Sequence, residues 1–211
     1  MSESVKAIML ARIRQAIAAA PEPEPVQPDF QVHDERDVAT IRADFTQNLL
    51  DYKASVINTT AAELSRQIAE LCLQERIQRL VLPVDVPVSW LPAHIQALRD
   101  DPPLALRDLD ACDAVLTGCA VAIARTGTII LDGGERQGRR ILSLVPDRHL
   151  CVVYASQIVG LVPEAIAAIQ ERAGHPITLI SGPSATSDIE LSRVEGVHGP
   201  RSLSVLIVQD R

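Results

Sequence analysis

Aromatic residues are nearly absent: one Trp, two Tyr and two Phe amount to 2% of 211 residues. The core must therefore be aliphatic, built from Leu, Ile, Val and Ala. Binding nucleic acid by base stacking needs aromatic platforms that this chain lacks. A Lys/Arg stripe is missing too, and the formal net charge of −7 argues against a phosphate-backbone partner. No apolar run approaches the roughly 18–20 residues needed to span a bilayer. The stretch ESVKAIMLARIRQAIAAA (3–20) scatters Glu3, Lys6, Arg12 and Arg14 along its length, where a signal peptide would place a basic end before an apolar block. A cytoplasmic protein without a membrane segment is expected.

Cysteine is sparse in the way that matters for metals. Cys72, Cys112, Cys119 and Cys151 are widely spaced, with no C-x-x-C pair. Structural zinc and iron–sulfur sites need thiolates brought close, usually by close spacing. Each of these residues lies in or beside an apolar stretch, so they read as buried thiols acting as small hydrophobes. Also missing are G-x-G-x-x-G, a Walker A loop, H-E-x-x-H and G-x-S-x-G, which leaves nucleotide hydrolysis, zinc proteolysis and α/β-hydrolase chemistry without support.

What is present is an ordinary soluble balance, 47% hydrophobic and 22% charged, and a length suited to one sizeable α/β domain. Val5, Ile8, Met9, Ile13, Ala16 and Ile17 recur at helical spacing, making 1–20 an amphipathic helical arm. A Pro-rich linker follows over 21–34, with four prolines inside PEPEPVQPD (21–29). Two uses of the arm stay open: contacts in a homo-oligomer, or packing on its own chain.

From residue 35 to 211, helix and strand alternate. Helices are expected over 36–53, 59–75, 88–99 and 162–173. Thr60 and Glu63 have capping-box spacing at the start of the second. Strands are expected at SVIN (55–58), RLVLPV (79–84), DAVLTG (113–118), AVAIA (120–124), TIIL (128–131), LCVVYA (150–155), ITLIS (177–181) and LSVLIV (203–208). Continuous Val/Ile/Leu strands between helices imply a mostly parallel sheet covered on both faces, a three-layer α/β/α sandwich. The crowded run 113–155 leaves no room for crossover helices and should contain an antiparallel hairpin.

Ligands in open α/β sheets bind beyond the carboxyl ends of strands, where loops lead onward. ITLIS followed by GPSATSDIE is such a place. Ser187 and Glu190 have S-x-x-E spacing, and Asp188 suits a helix amino end, so this half reads as a cap for a new helix. Ser181, Gly182, Ser184 and Thr186 remain beside free amides, the means by which small anions are held. In EGVHGP (195–200), Gly196, Gly199 and Pro200 make a turn that presents His198, either a proton-transfer group or a hydrogen-bonding brace. ARTGT (124–128) breaks an apolar run, and Gly127 signals a bulge or a close backbone approach. DGGERQGRR (132–140) reads as a hairpin loop whose Arg139 or Arg140 could meet a phosphate or carboxylate, a solvated basic loop being the ordinary outcome.

Taken together, AIARTGTIIL (122–131), LVPDRH (144–149), QIV (157–159), SGPSATSDIE (181–190) and GVHGP (196–200) resemble, in order and spacing, the lactate utilization protein C family. This is the LUD-domain family, similar in fold to the NagB/RpiA/CoA-transferase group. The resemblance runs from about residue 35 to 208 and rests most on GPS-x-T-x-DIE and GVHGP. It implies a part in oxidising L-lactate to pyruvate beside two iron–sulfur partner proteins, which would carry the clusters, so that neither cofactor nor metal is expected in this chain. It also implies a small anionic ligand near Arg125, Thr126, Gly127, Thr128, Ser181, Gly182, Ser184, Thr186 and Gly199. His198 would be the proton-transfer candidate, oriented by Asp188 or Glu195.

The chain departs from the family pattern twice. Arg125 stands where a Glu is usual, and Ala185 where a basic residue is usual. The Arg125 charge could replace the one missing at 185. An enzyme subunit, an assembly factor and a scaffold for the iron–sulfur proteins stay open, as does a sugar-phosphate or acyl-CoA enzyme of the same fold.

Overall fold

Six strands line up in parallel, and the inner ones carry the Val/Ile/Leu runs expected where both faces are buried, while the two edge strands are half exposed. The computed structural model describes residues 5–19, 30–93, 95–183, 185–186, 194–195 and 199–210. The chain divides into two units, Met1–Gln31 and Val32–Arg211. In the first, α1 spans Val5–Ala19, and all of its residues from 5 to 18 are exposed, the apolar Ile8, Met9 and Ile13 included.

The second unit begins with α2 (Val38–Asp51), whose first turn is capped by Asp37: its carboxylate accepts from the Thr40 amide at 2.9 Å. Such a cap is worth about 1 kcal/mol. The chain continues through β1 (Ser55–Thr59), α3 (Leu64–Gln74), β2 (Arg79–Leu82), β3 (Gln96–Arg99), α4 (Leu106–Asp110) and β4 (Ala114–Thr117). It then runs through β5 (Val121–Ile123), β6 (Thr128–Leu131), β7 (Arg148–Tyr154), β8 (Ile158–Val159), α5 (Val162–Ala168) and β9 (Thr178–Ile180). Last come β10 (Ala185–Thr186), β11 (Val194–Glu195) and β12 (Ser202–Val208).

The main sheet has the order β1-β12-β7-β4-β2-β3. Its front face packs on α3: Leu64, Ile68, Leu71 and Cys72 meet Leu80, Leu116, Val152 and Leu206. On the back, Phe45 and Leu49 of α2 and Ala122 and Ile129 of a second sheet meet Cys151, Val153, Val205 and Ile207. Side chains buried this completely contribute about 1.5–3 kcal/mol each. The second sheet, β8-β5-β6-β9, contains the expected antiparallel hairpin, β5 against β6, and its outer face is covered by Ala165 of α5. The α/β sandwich is thus present, with a small mixed sheet sharing the back layer with α2.

Four local expectations fail for identifiable reasons. Residues 88–99 form one 3-10 turn, Val88–Trp90, and then strand β3, because Pro92 holds Leu91 in an extended conformation (φ −88°, ψ 128°). The Thr60/Glu63 capping box is not made: the Ala61 amide is taken by Asp210 at 2.8 Å, Glu63 pairs with Arg66, and the helix starts at Leu64. The helix expected over 162–173 ends at Ala168 and is followed by a 3-10 turn, Gln170–Arg172. The 132–140 segment is no hairpin loop, since it carries the chain from the small sheet across to β7 of the main sheet.

Candidate functional site

The predicted ligand-binding residues at 126–128 and 181 do come together. Thr126 Oγ1 lies 2.7 Å from Thr128 Oγ1, which lies 2.7 Å from Ser181 Oγ. β6 begins at Thr128 and β9 ends at Ile180, and their antiparallel pairing sets the two hydroxyls side by side. Thr128 Oγ1 also lies 3.5 Å from the Thr126 carbonyl oxygen, so the three hydroxyl protons can all be used within the cluster.

The two glycines have a structural task here. Gly127 is left-handed (φ +57°), and a Cβ on it would lie 2.9 Å from the Asn48 carbonyl carbon. Gly182 (φ +80°) would put a Cβ 2.5 Å from the Tyr52 carbonyl oxygen. Both therefore press on the last turn of α2 and the residue after it, and Asn48 Nδ2 secures the contact by donating to the Ala124 carbonyl at 2.8 Å. The close backbone approach read from Gly127 is an approach to protein.

This cluster occupies the opposite end of the main sheet from the one expected. β9 belongs to the small sheet, and its carboxyl end adjoins Tyr52, three residues before the amino end of β1. Gly199 likewise precedes the amino end of β12. The strand-end rule selected a loop correctly for its own strand, but the small sheet has no common direction.

Arg125 is exposed, and its amide donates to the Gly160 carbonyl at 3.0 Å. Its charge acts on Asp34, which packs directly against Gly160. Hydrogen bonds from Arg36 dominate there, holding the Asp34 carboxyl down to about 2, with Arg36 also reaching Asp44. Asp34 and Arg36 thus form a pair at which Arg125 is a further cation. Of the other predicted residues, Ser184, Asp188 and His198 lie outside the described residues, as does the expected helix start at 187–190. The backbone at 185–186 pairs antiparallel with 194–195, placing Ala185 opposite Glu195 and Thr186 opposite Val194.

All four cysteines are free and buried, as read from their surroundings. Burial pushes the Cys72 thiol up to about 11. Among the described residues, no group of three or more His, Cys, Asp or Glu side chains is placed to hold a metal ion. No helix among them is long and apolar enough to cross a membrane.

A crevice of about 520 Å³ lies beside the 132–140 segment, whose Arg139 and Arg140 the sequence offers to a phosphate or carboxylate. It lies at the carboxyl ends of β2 and β3, between Pro83–Asp85, Asp100 and the 132–140 segment. Glycines and arginines in 132–140 were its only local signal.

A parallel sheet backed by a small mixed sheet, with a hydroxyl cluster at the hairpin turn, defines an α/β domain built around the ARTGT and SGPS segments. The model of the LUD domain matches residues 42–208, and the chain belongs to that family. A relative named lactate utilization protein C, from Deinococcus radiodurans, is 50% identical over 202 residues, covering 95% of this chain and 93% of its own. Another protein of that name, from Geobacillus kaustophilus, is 32% identical over 120 residues, covering 53% of this chain and 50% of its own. The crystal structure of a DUF162 family protein from Deinococcus radiodurans superposes with a TM-score of 0.72 at 43% identity, over 82% of this chain and 99% of that one.

Proposed function

We propose that this protein is the cluster-free subunit of an L-lactate utilization system, working in the cytoplasm with iron–sulfur proteins that oxidise lactate to pyruvate. The observation that carries this reading is the 50% identity, over 95% of the chain, to a protein named for lactate utilization. The four buried free thiols are compatible with a reducing compartment and with clusters held elsewhere.

The ligand we assign is a small carboxylate at the Thr126–Thr128–Ser181 hydroxyl chain. The support is that the hydroxyls of Thr126 and Ser181 can turn from Thr128 to donate to a carboxylate, and that the exposed Arg125 is next to Thr126 in the chain. Gly182, Ser184, Thr186 and Gly199 lie on the segments that would complete the site. His198 is the proton-transfer residue in this reading, oriented by Asp188 or Glu195.

The test is reconstitution: lactate-dependent dye reduction by the iron–sulfur proteins, with and without this chain. Full activity in its absence would end the reading. Where the chain is required, His198→Ala should lose at least a hundredfold in turnover. Wild-type turnover in that variant would leave the chain a scaffold and remove the catalytic assignment.

A further inference from the structure

The crevice at the carboxyl end of the main sheet has the marks of a built pocket. Its 132–140 wall is wound by its own side chains. The Asp132 amide donates to Gln137 Oε1 at 2.6 Å and the Gly134 amide to Asp132 Oδ1 at 2.8 Å. Two further bonds tie the loop to the sheet. The Arg136 amide donates to Asp85 Oδ2 at 2.7 Å, and the Arg136 carbonyl accepts from the Gly118 amide at 2.7 Å. Arg136 itself is left-handed (φ +61°), and its guanidinium stands 5.9 Å from the Trp90 ring centroid and 5.4 Å from that of Tyr154. A non-glycine residue in that region is strained, and such contacts offset the strain.

The charge balance inside the crevice decides what it suits. Asp85, whose carboxylate accepts from the Arg136 amide at 2.7 Å, lines it, as do two buried carboxylates, Asp100 and Asp132, each with 5% of its side chain exposed. Both are answered. Arg139 forks onto Asp100 at 2.6 and 2.7 Å, and Arg172 lies 3.1 Å from Asp132. Arg140 lines the crevice with no carboxylate partner among the described residues. A guanidinium without a carboxylate partner is a charged, forked donor that suits a phosphate oxyanion. Pro83, Val84, Leu131 and Pro176 give the wall an apolar part, a surface for a ring, beside the polar Ser143, His175 and Thr178. The volume lies within the roughly 300–1,000 Å³ of small-molecule pockets and far exceeds what lactate would fill.

We propose that this crevice is a second ligand site, distinct from the hydroxyl cluster, that binds a mononucleotide: its phosphate on Arg140, its base against the apolar part of the wall. The segment has neither Walker nor dinucleotide spacing, so the proposal is for binding and not for hydrolysis.

Calorimetric titration of the full chain with AMP, adenosine, inorganic phosphate and L-lactate tests this. AMP should bind saturably, with adenosine and inorganic phosphate each at least tenfold weaker. Arg140→Ala removes an exposed side chain that holds nothing else in place, and should weaken AMP at least tenfold. Arg107→Ala, an exposed arginine on α4 outside the crevice, should leave AMP affinity unchanged. The proposal is overturned if AMP fails to bind, if adenosine or phosphate alone matches it, or if Arg140→Ala binds like wild type. None of these outcomes depends on lactate turnover.

Discussion

The two ends of the main sheet are closed by glycine-bearing segments that use their glycines differently. At the amino end, Gly127 and Gly182 are pinned against α2 and its following residue, with no space for a methyl group. At the carboxyl end, a Cβ on Gly133 would meet only the Gly138 carbonyl oxygen, at an ordinary 3.8 Å, while one on Gly134 or Gly138 would meet a side chain, Asp132 Oδ1 at 2.7 Å or Leu142 Cδ1 at 2.8 Å. The amino-end glycines press on backbone, and those of the carboxyl end meet side chains or open space. A glycine in a sequence signals a left-handed turn or a close approach, and only the fold tells which.

That contrast gives the largest expected effect. Gly127→Ala adds both backbone strain and a 2.9 Å clash, and should cost about 3 kcal/mol. Gly133→Ala adds strain alone, about 1 kcal/mol. In thermal denaturation the first should lower Tm by about 10 °C and the second by about 3 °C. Equal shifts would show that the contact with α2 adds nothing.

The two ends also lose stability in different pH ranges. His149, the second residue of β7, is buried with its Nδ1 unpartnered among the described residues, and its Nε2 lies 2.7 Å from Thr117 Oγ1. Burial pushes its pKa down to about 4, against about 6.5 in an unfolded chain. Between those values the unfolded state binds a proton that the native state refuses. Stability should therefore fall as pH drops through that window, by up to about 3 kcal/mol, and His149→Leu should flatten the slope in urea denaturation. A slope unchanged by the substitution would move the pH sensitivity elsewhere.

At the carboxyl end, burial would raise Asp100, but the Arg139 fork and the Leu104 amide outweigh it and hold the carboxyl below its usual value. Its contribution is present above the unfolded pKa of about 3.9 and is lost as pH falls through the lower, folded one. Arg139→Met leaves a buried carboxylate without its cation and should cost about 2 kcal/mol at pH 7. The difference from wild type should shrink below pH 4, once Asp100 is protonated in both proteins. A difference that holds steady to pH 3 would assign the loss to packing.

Much of the fold was legible because parallel buried strands are continuous aliphatic runs, and these stood out between polar helices. The α2 cap has a local sign in the spacing of Asp37 and Thr40, and Pro92 is the local sign that ends the turn at 88–90 ahead of strand β3. The order of the strands and the mixed direction of the small sheet come from long-range pairing and had no local sign. At the hydroxyl cluster the residue types were readable, but Thr128 and Ser181 are 53 positions apart and their contact is a property of the β6–β9 register. At the crevice, Arg139 and Arg140 could not be told apart, because the Asp100 that engages Arg139 lies 39 residues away.

The smallest effect is the one that separates function from structure at the amino end. Thr128→Val keeps the shape and the β6 register but removes the central hydroxyl, leaving Thr126 and Ser181 without their shared partner. Because each can turn to another acceptor, the cost in stability should be about 1 kcal/mol, small beside that of Gly127→Ala. If the hydroxyl chain holds a carboxylate, the same substitution should weaken lactate binding at least tenfold, read by calorimetry at a temperature where both proteins are folded. Wild-type affinity together with the stability loss would make this end purely structural, a seal between α2 and the small sheet, and would leave the carboxyl-end crevice as the binding region of the molecule.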